Sequence, residues 1–214
     1  MARDRSRAGR PARSEAQREA KRQVILDAAL EVFAEKGYAD TRLDEVAARA
    51  GVAKGTIYLY VSSKEELFAA LIRTGISAPI ERIEGVIMDR DPPFEQVLRM
   101  LLAFLLKEVL GTRRKEIVRL LLMEAGRFPE VAELYHREVV ARGMGLLREA
   151  ARRACERGEL RSDELVRFPQ LAVAPGLVAI LWSHLFQRFE PLDAEALFEA
   201  HLALLLRGLR SEAS

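Results

Sequence analysis

The chain has 214 residues, half of them hydrophobic, with 34 Lys/Arg against 32 Asp/Glu for a net charge of +2. That length can bury a real core in one large or two small domains, and the near-neutral total does not by itself ask for a polyanion partner. No uncharged apolar run is long enough to span a bilayer, the basic N-terminus lacks the apolar stretch of a secretory signal, and Cys155 stands alone, which excludes an internal disulfide. A cytoplasmic protein is the expectation.

The charge is uneven along the chain. Residues 1–22 hold eight Lys/Arg against three Asp/Glu, and residues 1–64 thirteen against nine, so the basic excess lies at the N-terminal end. Residues 1–13 carry Arg3, Arg5, Arg7, Arg10 and Arg13 with Gly9 and Pro11 and almost nothing apolar. They are expected to form a disordered basic arm, of a kind that enters minor grooves. Ser14 and Gln17 have the spacing of a capping box. Ile25, Ala28, Ala29, Val32 and Phe33 then define one helical face up to about Lys36, where Gly37 ends the helix. Phe33 and Tyr38 read as packing residues.

Leu43, Val46, Ala47 and Ala50 recur at i, i+3, i+4 and i+7, one face of a short helix. Thr41 is placed to cap it, Asp44 to complement its dipole, and Gly51 to end it in the left-handed region. A second short helix, Lys54 to Val61, turns Ile57 and Val61 inward and leaves Lys54, Thr56, Tyr58 and Tyr60 as hydrogen-bond donors. At roughly 12 Å it is too short to be stable alone. Two such helices around a glycine turn make a helix-turn-helix, whose second helix enters the major groove of DNA.

The run LDEVAARAGVAKGTIYLYVSSKEELF, Leu43 to Phe68, and the upstream AALEVFAEKGYADT resemble the N-terminal domain of TetR-type transcriptional regulators. The resemblance is specific over residues 20–72 and general beyond them. It implies DNA contacts at Arg42, Lys54, Gly55, Thr56, Tyr58, Tyr60 and Lys64: Lys54 to a base edge or phosphate, Tyr58 toward the groove, the others to the backbone. Read from the residues alone, Tyr60 is equally a half-buried core aromatic, and Arg42 and Lys64 are ordinary surface charges. Leu59 and Val61 depart from the commoner family pattern; Leu59 suits a thymine methyl better than a base hydrogen bond.

Ser62 and Ser63 with Glu65 and Glu66 form overlapping capping boxes for a connecting helix bearing Leu67, Phe68, Leu71 and Ile72, interrupted near Pro79. Asp91-Pro92-Pro93 is a break. Helices are then expected over Phe94–Leu110, Arg113–Gly126 and Pro129–Arg157. Another segment starts at Asp163, is irregular through Pro169 and Pro175, and is regular from Gly176 to Phe189; Asp193 caps a last helix ending near Arg207-Gly208. The expected fold is all-α. An N-terminal three-helix helix-turn-helix DNA-binding domain (14–64) is joined by a connecting helix to a C-terminal helical bundle (65–214) for ligand binding and dimerisation.

The last two helices are apolar over much of their surface. The family resemblance implies a four-helix dimer interface there, with Leu177, Leu181, Leu185, Leu197, His201 and Leu205. The resemblance is also the ground for a ligand pocket, with Phe104, Met123, Phe128, Tyr135, Met144 and Trp182 as candidate lining and His136 or His184 as polar anchor; each is otherwise a core residue. Glu133 and His136 make one Glu-x-x-His with no second copy, which argues against a metal site. No catalytic motif is present, and Cys155 lies among arginines able to lower its pKa. The expectation is a homodimeric regulator, most simply a repressor, that binds a pseudo-palindromic double-stranded operator and releases it to a small-molecule effector. It would have no membrane partner, no cofactor and no enzymatic activity. A helical enzyme or carrier with structural N-terminal helices, and a DNA-binding protein without an effector, are the alternatives.

Overall fold

The computed structural model describes residues 9–209, with side chains from residue 15 onward. Among them every regular element is helical, and the chain divides into two compact units meeting at Leu71 and Ile72. The first unit thus runs past the expected boundary at Lys64, because Leu67 and Phe68 are fully buried core residues.

In the first unit, α1 spans Gly9–Asp40 and is broken at Gly37 (φ 78°, ψ 175°), a conformation essentially reserved for glycine. Residues 9–13, expected in a disordered arm, are helical: Pro11 falls in the first turn, where its missing N–H is not needed, and Arg and Ala favour helix. The minor-groove role expected of Arg3, Arg5 and Arg7 lies outside the described residues. Since the helix is already running at residue 14, Ser14 does not cap it. Phe33, Tyr38 and Phe68 pack as an aromatic cluster with ring centres 5.3 to 5.9 Å apart.

The helix α2 spans Leu43–Arg49 and α3 Lys54–Ile57, with Gly51 at φ 65° between them. Thr41 does not cap α2. Its hydroxyl donates to the Gly37 carbonyl at 2.7 Å, satisfying the acceptor freed where α1 breaks. Asp44 and Glu45 lie in the first turn of α2 and Arg49 in its last, as the helix dipole favours. Arg49 also grips Glu35 of α1 with two hydrogen bonds, 2.9 and 2.8 Å. In α4 (Lys64–Ile72) the expected capping holds: the Glu66 N–H donates to Ser63 Oγ at 3.2 Å, while Glu66 accepts from the Ser62 N–H at 2.6 Å.

In the second unit the connecting helix gives way to a π-helical turn (Arg73–Ser77), an interruption close to the one expected near Pro79, which then falls in the first turn of α5 (Ala78–Arg90). Asp91 then adopts the left-handed region (φ 42°) and accepts from Arg157 at 2.9 Å. Next come α6 (Phe94–Phe104) with a π turn over Leu105–Leu110, α7 (Lys115–Glu124), and α8 (Pro129–Tyr135), which passes through a third π turn (His136–Val140) into α9 (Ala141–Glu156). A short α10 (Glu164–Arg167) precedes α11 (Gln170–Leu185) and α12 (Ala194–Leu209), the last capped by Asp193 Oδ1 on the Ala196 N–H at 3.0 Å. The core centres on Phe94, Leu98, Leu165, Phe198 and Leu202.

Contrary to the irregular start expected of it, α11 is helical through Pro175. Proline at 175 deprives the Leu171 carbonyl of its N–H four residues on. His201 Nε2 of α12 supplies the missing donor at 2.8 Å; the acceptor is a carbonyl, so this nitrogen carries the proton. His201, which the family resemblance puts at a dimer interface, is half-buried and makes this bond within its own chain. His201→Ala should lower stability to chemical denaturation by about 1 kcal/mol. In a Pro175→Ala background the loss should shrink, because the alanine N–H restores the helical bond.

Candidate nucleic-acid interface and ligand cavity

The helix α3 is a single turn with a buried side and an exposed side. Ile57 (0 % exposed) and Val61 (5 %) are the buried side. After Ile57 the turn is mixed. Leu59 N–H bonds Thr56 at 3.1 Å and Tyr60 N–H bonds Ile57 at 2.9 Å in the tighter i→i+3 pattern, while Val61 N–H reaches Ile57 at 3.0 Å. Regular helix thus ends at Ile57, but helical hydrogen bonding carries on to Val61. The exposed side carries Lys54, Gly55, Tyr58 (49 %) and Leu59 (73 %). Thr56 and Tyr60 are half-buried, and Arg42 is exposed at the N-terminus of α2.

Two of the expected DNA contacts have partners inside the protein. Lys54 Nζ pairs with Asp44 Oδ2 at 2.6 Å, and that hydrogen bond raises the lysine pKa. Both groups are exposed, so the pair is weak and exchangeable. Lys64 is held differently. Its ammonium donates to the Ala39 carbonyl at 2.8 Å and lies 4.6 Å from the centre of the Tyr38 ring, tying the start of α4 to the end of α1. Within the first unit it is therefore more than the ordinary surface charge that the residues alone suggested. Next to it, Glu65 is held below the usual carboxylate range by its own backbone N–H, then by Ser63 and the Tyr38 hydroxyl.

Nothing in the protein requires a glycine at 55, since a Cβ built there meets no atom within 4 Å. Arg18 and Arg22 of α1 share an open groove with Leu59 and Tyr60, together with Glu15 and Glu19. No local sequence signal marks these arginines, because only the fold brings α1 alongside the end of α3.

The second unit holds a partly open cavity of about 260 Å³. Phe104, Tyr135 and Met144 of the expected lining are in its wall; Met123, Phe128, His136, His184 and Trp182 are not. Met123 is 61 % exposed, His136 and His184 are exposed, and Phe128 is half-buried beside Arg127. The Trp182 indole donates to the Glu190 carbonyl at 2.7 Å and packs edge-on against Phe186, closing the turn after α11. The reason is angular: successive helical residues stand about 100° apart, so Tyr135 facing inward turns His136 away.

Leu105, Val109, Val139, Gln170 and Gly176 complete much of the wall, and no residue-type signal in the sequence marks them. All three π turns contribute: Ile76 from the first, Leu105 and Val109 from the second, Val139 and Val140 from the third. The first and third are fastened together by Ser77 Oγ donating to the Glu138 carbonyl (3.1 Å) and Arg73 pairing with the Glu138 carboxylate (3.2 Å). Leu177 lines the cavity while remaining 47 % exposed, and Leu181 (42 %) and Leu185 (47 %) are exposed along α11 with Leu171 and Val178. Leu197 and Leu205 of α12 are half-buried.

Among the described residues no group of three His, Cys, Asp or Glu side chains is placed to hold a metal, and no helix is long and apolar enough to cross a membrane. The pKa of Cys155 is raised, first by burial and then by Asp163 and Glu164, the reverse of the lowering that the neighbouring arginines suggested.

The first unit has the architecture of a helix-turn-helix DNA-binding domain, and the second that of a helical bundle around a small-molecule-sized cavity. Residues 25–71 match the family model of bacterial regulatory proteins of the tetR family, and residues 89–202 match that of the tetracyclin repressor-like C-terminal domain. The chain belongs to the TetR family.

It is 42 % identical over 74 residues to the fatty acid metabolism regulator protein of Bacillus subtilis, covering 35 % of this chain and 38 % of that one. The match to the E. coli regulator RutR is 30 % over 122 residues, 57 % of this chain and 49 % of RutR. The chain thus spans less than half the length of these curated relatives. Among solved structures, the SmeT–triclosan complex superposes with a TM-score of 0.77 at 23 % identity, covering 91 % of this chain and 93 % of that one. Its likeness is to the fold.

Lys64→Met should destabilise the folded chain by about 1–2 kcal/mol without DNA present, since it removes a charge-assisted hydrogen bond and a cation–π contact. Lys54→Ala should leave stability nearly unchanged. Denaturation midpoints of the two variants, at equal slope, check the contrast.

Proposed function

We propose that the chain is a homodimeric, sequence-specific DNA-binding transcriptional regulator, a repressor that a small-molecule effector releases from a pseudo-palindromic operator. The observation that carries this reading is the exposed side of α3. Two buried residues hold one helical turn whose outward positions are Lys54, Gly55, Tyr58 and Leu59. A glycine that no protein neighbour demands suits close approach to a DNA backbone, and Leu59 suits a thymine methyl. In this reading Lys54 exchanges Asp44 for a phosphate or base edge, Tyr58 meets the groove, and Arg42, Thr56 and Tyr60 grip the backbone. Lys64 also fixes α4, and the arginines of residues 1–13 extend the contact as a basic arm.

The second unit, from Ile72 onward, serves effector binding and dimerisation. Leu171, Val178, Leu181 and Leu185 form an exposed apolar stripe at spacings of 7, 3 and 4 along α11, the pattern of a helix shared with another chain. A two-fold dimer presents two α3 helices to half-sites about one helical turn apart. The cavity supports an effector, and triclosan is the ligand named with the similar SmeT fold. Effector coupling of about 1–3 kcal/mol changes affinity roughly 5- to 150-fold.

Selection of bound sequences from random DNA should return a pseudo-palindrome with such half-site spacing; recovery of no preferred sequence would sink the reading. Gly55→Ala should keep or slightly raise thermal stability yet weaken operator binding. Lys54→Ala should lower the salt dependence of binding by about one unit of slope. Sedimentation at micromolar concentration should show a dimer that Leu181→Glu converts to monomer, and a monomeric parent chain would remove the dimer from the model of action.

A further inference from the structure

The chemistry of the cavity wall narrows what it accepts. Most of the wall is aliphatic or aromatic carbon, including Ile80, Leu101, Phe104, Val118 and Ile180, and no Asp, Glu, Lys, Arg or His side chain lines it. Its polar side chains are Gln170, exposed at the start of α11, and Tyr135. Burial alone pushes the Tyr135 phenol up to about 12, so it stays neutral, and its hydroxyl has no hydrogen-bond partner among the described residues. Tyr135 as a whole is half-buried, so its hydroxyl is an open donor and acceptor on an otherwise apolar wall.

Resting on the reading of this unit as the effector domain, we propose that the cavity takes a compact, uncharged lipophile with one hydrogen-bonding group, which the Tyr135 hydroxyl holds. The phenol both donates and accepts, so a ligand hydroxyl, ether or carbonyl oxygen satisfies it. A carboxylate, phosphate or ammonium would enter with no counter-charge in the wall, and burying an unpaired charge costs far more than burying a hydrogen-bonded neutral group. Size points the same way. A volume of about 260 Å³ lies just below the usual range of small-molecule sites, which starts near 300 Å³. Gly176 helps to define that space: a Cβ there would come 2.9 Å from Leu105 Cδ1, so the glycine lets the Leu105 side chain lie close against α11. The ligand class is therefore distinct from a long acyl chain carrying a polyanionic head, such as the stearoyl-CoA bound by the B. subtilis FadR structure.

The test is calorimetric titration of the full chain at neutral pH with four probes of one ring size, namely naphthalene, 2-naphthol, 2-naphthoate and 2-naphthylmethylammonium, and with stearoyl-CoA. The proposal expects 2-naphthol to bind most tightly and both ions at least about tenfold more weakly. Tyr135→Phe should weaken 2-naphthol roughly 2- to 12-fold and leave naphthalene unchanged, a split that a merely structural tyrosine would not produce. An ion or stearoyl-CoA binding as tightly as 2-naphthol would overturn the proposal. So would no binding of 2-naphthol, or a Tyr135→Phe change that moves both neutral probes together or neither. Selected DNA is titrated into the same samples without any probe. Intact DNA recognition beside a failed probe series leaves the regulator reading standing with a different ligand, whereas absent DNA recognition defeats that reading on its own.

Discussion

A four-residue helix does not hold itself together in water, because nucleation fixes several backbone angles for a single hydrogen bond. The first unit answers that constraint at Ile57 and Val61. Their burial anchors α3, and α2 is fastened in turn by Arg49 gripping Glu35. The aromatic cluster of Phe33, Tyr38 and Phe68 then joins the two ends of the unit, with Lys64 closing over Tyr38. So short an element has few residues to spare for its own stability. Its outward positions are free to be chosen for a partner, as the unneeded glycine at 55 and the exposed leucine at 59 illustrate.

The second unit depends on departures from ideal helix geometry. Three π turns place residues in the cavity wall, and such turns recur at functional sites because the extra residue widens the coil and re-aims the side chains that follow. Pro175 is a fourth departure. The carbonyl it strands at Leu171 is answered from α12 by His201, so a local defect becomes a link between the last two helices. The Ser77–Glu138 bond does the same between two π turns. At Leu171 and Glu138 a backbone carbonyl within an irregular stretch accepts from a polar side chain of another element, as buried or half-buried backbone groups require.

The helix-turn-helix was legible because its signals are local: the apolar spacing of α2, glycine at 51, the Ser63–Glu66 cap, and a motif dense enough to carry a family resemblance. The helix order of the bundle was legible for the same reason, from proline, glycine and aspartate at its breaks. The cavity was legible only in part. Phe104 and Tyr135 are in its wall, but Trp182, Phe128, Met123 and His136 were singled out by residue type, and type does not say which way a side chain points. A π turn shifts every following residue off the 3.6 period, so no helical-wheel reading carries across positions 105–110 or 136–140.

The sequence by itself determined most of the helical segments, though not residues 9–13 or the first half of α11, and that two short helices flank a glycine turn. All of these follow from propensity, capping and periodicity within a few neighbouring residues. Tertiary structure alone decided the partners: that Thr41 serves Gly37 and not α2, that Lys64 braces α1, that His201 completes a helix broken by Pro175, and that Tyr135 stands unpartnered in an apolar wall. Those assignments depend on distances between residues far apart in the chain, and a hydrogen bond or a cavity exists only once the fold has set those distances.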